Sequence, residues 1–194
     1  MSSEETKAKI IQISAELFNT KGYSGTSISD IMEATGLKKG GIYNHFKSKE
    51  ELALAAFDYA FQQISIRTLK VWKKHSNAKD RLLAIVANFS SYIDNPPIFG
   101  GCPILNTAIE SDDTHPALQK KALEAMNSWR SLICRIIEKG IAKEEINPST
   151  NADEVASVII CTVEGSIMMS KLYRDSIHLD RAIQHLSQYI KTNL

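Results

Sequence analysis

Three cysteines, five prolines and nine glycines are few for 194 residues, and each scarcity excludes something. An odd number of cysteines does not make a disulfide framework. With so few prolines and glycines, set among long periodic segments, the chain reads as mostly helical. Long apolar runs are missing too. The longest, around Val155 to Val163, is too short to span a bilayer and is followed by Glu164. The polar start, Met1 to Thr6, is not followed by the apolar stretch of a signal peptide. A cytoplasmic chain with no membrane partner is therefore expected. The five histidines, at 45, 75, 115, 178 and 185, show no metal-ligand spacing. There is no Gly-rich phosphate loop after a strand and no nucleophile elbow. The expectation is no metal, no cofactor, no catalytic residue and no enzyme. Excess charge is absent as well: the net charge is +1, so the whole-chain total points to no polyanionic partner. What the length and 43% hydrophobic content do permit is a small module plus a larger all-α body.

The stretch from Thr26 to Lys49 departs from this even picture. Ile28, Ile31 and Met32 fall at helical spacing, and Ser27 and Asp30 stand three apart as the N-cap and N3 of a capping box. Gly36 interrupts the pattern, Leu37 anchors the turn, and a second short helix restarts near Lys38 with Ile42 and Phe46 on one face. Two short helices around a tight Gly-containing turn describe a helix-turn-helix, whose second helix enters a DNA major groove. Between Glu33 and Glu50 there is no acidic residue, while Lys38, Lys39, Lys47 and Lys49 give a local balance of +4. Four lysines alone also fit a merely solvated face. Here they flank a Gly-Gly-Ile-Tyr-Asn-His-Phe segment, which suits a phosphate-facing surface.

The remaining chain divides into helical segments. Glu4 to Lys21 carries a stripe of Ile10, Ile11, Ser14, Leu17 and Phe18, stopped by Gly22. Ser48 to about His75 is one pattern without internal Gly or Pro, its buried side marked by Leu52, Ala55, Ala56, Tyr59, Ile64 and Leu69. Asp80 to Asp94 is the next helix, and Asn95 to Gly101 is a loop. Pro103 opens a short helix to about Ser111, and Pro116 a long one to about Lys143. Asn151 to Arg174 is apolar on nearly all sides, as in a helix buried in a large body or shared between subunits. Along it Ser157, Cys161 and Gly165 set small residues four apart, where another helix can approach. With the last helix, around Leu179 to Ile190, this predicts a four-helix interface of a homodimer.

The ordered motifs Lys21-Gly22-Tyr23, Thr26 to Ile31, Gly36 to Phe46 and Ser48 to Leu52 resemble the DNA-binding domain of TetR-family transcriptional regulators. The resemblance covers about the first quarter of the chain. It implies an all-α fold: a three-helix helix-turn-helix domain over 1–48, then a helical ligand-binding and dimerisation domain over 49–194. The helix over 48–75 links the two. It further implies a repressor whose partner is a near-palindromic double-stranded operator. Tyr43 and Lys49 stand at phosphate-contacting positions, and Thr26 or Ser27 is expected to bind phosphate at a helix N-terminus. Lys38 belongs to the same surface. Lys39, Gly40 and Gly41 occupy groove-facing positions, with Asn44 and His45 beside them. Lys39 could read guanine, and Asn44 adenine or phosphate.

For sensing, Gly101-Cys102-Pro103-Ile104-Leu105-Asn106 through Glu110 resembles a Gly-Cys-x-x-x-Asn-x-x-x-Glu motif of some TetR-like regulatory domains, certain of which respond to electrophiles or oxidants. A thiol at a helix N-terminus gains thiolate character. The same residues equally describe a packed turn with Cys102 as a small hydrophobe, and Asn106 and Glu110 as ties for that turn. Against a redox or electrophile sensor stands a reversible small-molecule pocket lined by Phe89, Tyr92, Phe99, Met126, Trp129, Ile133 and Met168, with Glu164 as its polar member. An effector-independent DNA-binding protein is the third possibility, disfavoured by the large apolar body.

Overall fold

A computed structural model describes residues 2–194; Met1, where the polar stretch to Thr6 begins, lies outside them. The described residues are all-α, as expected, with helices α1 (Ser3–Gly25), α2 (Ile28–Thr35), α3 (Lys39–Tyr43), α4 (Lys49–Trp72), α5 (Ala78–Asn88), α6 (Pro103–Ser111), α7 (Pro116–Ala142), α8 (Ala152–Tyr173) and α9 (Ile177–Asn193).

Two compact units emerge, one of residues 2–64 with 97–125, the other of 65–96 with 126–194. Compactness thus groups α6 with the N-terminal helices, although 32 residues of the second unit lie between them in sequence. α4 and α7 each begin in the first unit and end in the second.

In the first unit, Ile10 of α1, Ile31 of α2, Ile42 of α3, Phe46 and Leu52 of α4 form one buried cluster. Full burial of such side chains contributes roughly 1.5–3 kcal/mol each, which outweighs the weak helix propensity of the glycine-bearing α3. A second cluster joins Ala15, Ala56, Ala60 and Ile98. In the second unit a larger core unites Leu82, Ile85, Val86, Phe89, Ile133, Ile137, Ile159, Val163, Ile167, Leu179, Leu186 and Ile190 from α5 and the turn after it, α7, α8 and α9.

Three expectations needed correction. The buried stripe of α4 does not reach Leu69, which is 39% exposed; it passes through Ala60 and half-buried Ile64 to Thr68, one residue and thus about 100° away. The helix expected over Asp80–Asp94 starts at Ala78, where the Asn77 side chain caps it, and ends at Asn88 in a 3-10 turn, Phe89–Ser91. The Arg67 guanidinium holds that turn by donating to Asn88 Oδ1, the Ser91 hydroxyl and the Asn95 carbonyl. Finally, α8 as a whole has the length and apolar composition of a bilayer-crossing helix, but half of its most apolar window is buried within the chain, as in a core helix.

Candidate nucleic-acid interface and sensing residues

The first motif helix begins as its sequence predicts. Ser27 Oγ accepts from Asp30 N at 3.1 Å, and Asp30 Oδ2 accepts from Ser27 N at 2.7 Å. Lys21 Nζ donates to Asp30 Oδ1 at 2.7 Å. This Lys21 bond, then those from Ser27, hold the Asp30 carboxyl well below the usual carboxylate range. At the other end, Gly36 adopts the left-handed conformation, φ 70°, and returns its N–H to the Met32 carbonyl at 2.9 Å. The Thr35 hydroxyl donates to Ile31 O, and Lys9 Nζ covers the Thr35 carbonyl at 2.9 Å.

The turn delivers α3 with Ile42 buried inward and its other side open. Lys38, Lys39, Gly40, Tyr43 and Asn44 are exposed, and His45 is half-buried. Lys39 Nζ lies 5.7 Å from the Tyr43 ring centroid, so ammonium and phenol share one face. The two glycines differ. A Cβ on Gly40 would meet nothing within 4 Å, whereas one on Gly41 would touch Leu37 at 3.5 Å. Gly40 therefore turns outward and Gly41 toward the turn. Lys49, the first residue of α4, stacks its ammonium over the Tyr23 ring at 4.2 Å. Ser48 caps this helix, accepting from Glu51 N at 3.0 Å.

Thr26 is placed differently from the sequence-based expectation. It is 0% exposed, and its hydroxyl donates to Gly22 O at 2.7 Å, so its side chain closes the end of α1 and does not face a phosphate. Exposed Ser27 keeps its place at the N-terminus of α2.

The residues expected to sense do not gather in one place. Phe89 lies 4.7 Å from Tyr92 and 5.4 Å from Trp129, ring centroid to centroid, against buried Ile133 and half-buried Met126 in the second unit. Glu164 is buried on α8. Phe99, however, is 63% exposed and belongs to the first unit, and Met168 is 50% exposed on α8, so neither lines that aromatic cluster. Cys102 is 3% exposed at the N-cap of α6, a buried small apolar group shielded from solvent oxidants. The exposed thiol is Cys161. Burial and the nearby Asp153 carboxylate push the Cys134 thiol up, which makes it less reactive.

A cavity of about 30 Å³ opens in the first unit, bordered by Phe18, Asn19, Tyr23, Phe57, Glu110 and His115. None of the expected sensor residues lines it. The sequence pattern had not singled out Asn19 or Tyr23 for a role here; the available sign was an asparagine near the end of an otherwise apolar stripe. Among the described residues no cluster of three or more His, Cys, Asp or Glu could hold a metal ion.

Comparison with known proteins agrees with this geometry. Residues 10–56 match the family described as bacterial regulatory proteins, tetR family, and residues 78–186 match the tetracyclin repressor-like C-terminal domain. A TetR transcriptional regulator from Chloroflexus aurantiacus J-10-FL is 46% identical, with 98% of this chain and 96% of that one covered at a TM-score of 0.95. A TetR-family regulator from Cytophaga hutchinsonii is 39% identical over 98% of this chain and 96% of that one, with a TM-score of 0.90. The HTH-type transcriptional regulator YxaF of Bacillus subtilis (strain 168) is 26% identical over 90% of each chain.

Proposed function

The chain belongs to the TetR family of DNA-binding transcriptional regulators, and on that premise we propose that it is a homodimeric repressor released from its operator by a small molecule. The observation that carries the DNA side is the open face of α3. Lys38, Lys39, Tyr43 and Asn44 are exposed there, with exposed Lys47 just beyond, and no acid stands among them. The lysines neutralise phosphates and the Tyr43 hydroxyl donates a hydrogen bond to one; Gly40, with nothing over its Cα, lets the backbone approach base edges closely. Ser27 presents the N-terminus of α2, whose first N–H groups have no carbonyl within their own helix. Lys49, held over Tyr23, offers its charge where α4 begins.

The second copy covers α8. Val158, Cys161, Met168 and Leu172 are exposed along one side of this helix, and Leu172 is 74% exposed. Such a patch is characteristic of a protein interface. In the dimer two α3 helices read half-sites about 34–36 Å apart on a near-palindromic operator. The effector binds at the aromatic cluster of Phe89, Tyr92, Met126 and Trp129 in the second unit, with the buried Glu164 of α8 as the polar group that this unit offers it. Release requires that it bind the operator-incompetent state more tightly than the competent one. The protein acts where DNA is, in the cytoplasm.

Fluorescence anisotropy with labelled duplexes tests the DNA assignment. Tyr43→Phe and Lys49→Ala should weaken binding to operator and unrelated duplex alike, and Lys49→Ala should lower the salt slope by about 1. Unchanged affinity for both variants would remove these residues from the interface.

A further inference from the structure

The end of α1 is held by a helix far away in sequence. α1 breaks at Gly22 (φ 77°, ψ 167°), and the next two N–H groups turn to the Glu110 carboxylate on α6. Tyr23 N donates to Oε2 at 2.7 Å and Ser24 N to Oε1 at 2.8 Å. Bonds from N–H to a carboxylate are charge-assisted and stronger than neutral ones. The break and the carboxylate also exclude any side chain at residue 22. A Cβ there would lie 2.8 Å from both carboxylate oxygens, in a conformation that already favours glycine.

One turn earlier on the same face of α6, Asn106 makes a second tie. Its Nδ2 lies 2.8 Å from Asn19 Oδ1, 3.1 Å from Asn19 O and 3.0 Å from Gly100 O. Asn19 Nδ2 in turn donates to Phe99 O at 2.7 Å and Gly101 O at 3.0 Å. The loop backbone passes so close that a Cβ on Gly100 would lie 2.5 Å from Asn19 O. Asn106 and Glu110, expected from the sequence to tie down their own turn, thus hold α1 as well.

The DNA-reading pair lies directly beyond this tie. Only Thr26 and Ser27 separate α1 from α2, and Thr26 closes onto Gly22 O. The apolar cluster of Ile10, Ile31, Ile42, Phe46 and Leu52 holds α1, α2 and α3 together and reaches residues 22–24 only through Phe18, which packs against it and stacks on the Tyr23 ring at 5.9 Å; the backbone N–H groups of Tyr23 and Ser24 are held by Glu110. The small cavity lined by Asn19 and Tyr23 of α1 and by Thr107 and Glu110 of α6 lies at this same junction.

We infer that Glu110, with Asn106, is a positioning residue for operator recognition: by holding α1 at its Gly22 break, α6 sets the α2–α3 pair in the operator-competent orientation. This rests on the DNA-binding role proposed above and names the contact through which a repressor state is kept or lost. Neither residue touches DNA.

The test uses a palindromic duplex selected by the wild-type protein from a randomised pool, an unrelated duplex of equal length, and full-length Glu110→Ala, Glu110→Gln and Asn106→Ala. Glu110→Ala should lose operator affinity on the order of tenfold, within the range of couplings between sites. Asn106→Ala should lose operator affinity in the same direction. Affinity for the unrelated duplex and the salt slope should stay as in wild type, because every phosphate-binding lysine remains. Glu110→Gln, which keeps one acceptor oxygen, should fall between wild type and Glu110→Ala. Amide hydrogen exchange in Glu110→Ala should quicken at Tyr23 and Ser24 while α2 and α3 stay protected. Wild-type operator affinity despite lost protection at Tyr23 and Ser24 would overturn the inference. So would an equal loss on both duplexes with α2 and α3 unprotected, which marks a structural role only. Failure of the DNA assignment itself would show separately, as Tyr43→Phe and Lys49→Ala binding the selected duplex like wild type.

Discussion

Asp30 shows how much of this surface is set by single side chains. Its carboxylate caps α2 and pairs with Lys21, and the Lys21 bond is the largest cause of its lowered pKa. A depressed folded-state pKa stabilises the ionised form. The contribution of Asp30 is therefore complete above the ordinary value of about 3.9 and is lost only as the pH falls through the lower folded-state value. A carboxyl-carbon NMR titration should keep Asp30 ionised well below about pH 3.9, and Lys21→Ala should raise its midpoint. An ordinary midpoint in the wild type would mean that the cap is not formed in solution. The pair Ser27 and Asp30 was legible because a capping box is a local pattern in which both partners lie within one turn. Thr26 was not, since its burial depends on α1, and for Cys102 the sequence left a reactive thiol and a packed small hydrophobe both open. No local spacing encodes either.

Elements were legible wherever apolar periodicity and local stop residues acted together. Pro103 and Pro116 each stand at the first position of their helices, and Gly36 ends α2. The early end of α5 had no such mark, because the Arg67 guanidinium that holds the turn comes from α4. α8 ends in a way its sequence does not favour. Arg174 adopts φ 54°, ψ 40° and sends its N–H back to Lys171 O and Ser170 O, a cap conformation that glycine takes without strain. Arg174→Gly should raise stability by about 0.5–1 kcal/mol, the strain relieved less the added entropy of the unfolded chain. Urea unfolding should show a higher midpoint at unchanged slope. A lower midpoint would show that the Arg174 side chain makes a contact worth more than the strain.

At the scale of the whole molecule the proposed dimer rests on the open face of α8. Gly165 lies along it with Cys161 and Ser157, four residues apart, and a Cβ at Gly165 would meet nothing within 4 Å in a single chain. The first side-chain carbon of a Gly165→Leu substitution therefore has open space in the isolated subunit, and the change also gains helix propensity. In a dimer packed through this face the added side chain must push the partner helix away. Sedimentation equilibrium should show a dimer dissociation constant raised more than about tenfold, with thermal unfolding of the subunit no earlier than in wild type. An unchanged dimer would place the interface elsewhere.

By itself the sequence determined the helices, the turn of the DNA-reading pair and its basic face, because caps, periodicity and local charge act within a few residues. The order of the motifs from Lys21 to Leu52 was likewise enough to suggest the family that the relatives then showed. Only the tertiary structure decided which half-apolar faces close on each other and which stay open. It turned Phe99 and Met168 outward, buried Cys102 and Thr26, and brought Glu110 to the N–H groups of Tyr23 and Ser24. Those two groups need an acceptor only because α1 breaks at Gly22, and the acceptor stands 87 and 86 residues away. A bond of that span depends on the packing of α6 against α1, which no local pattern carries.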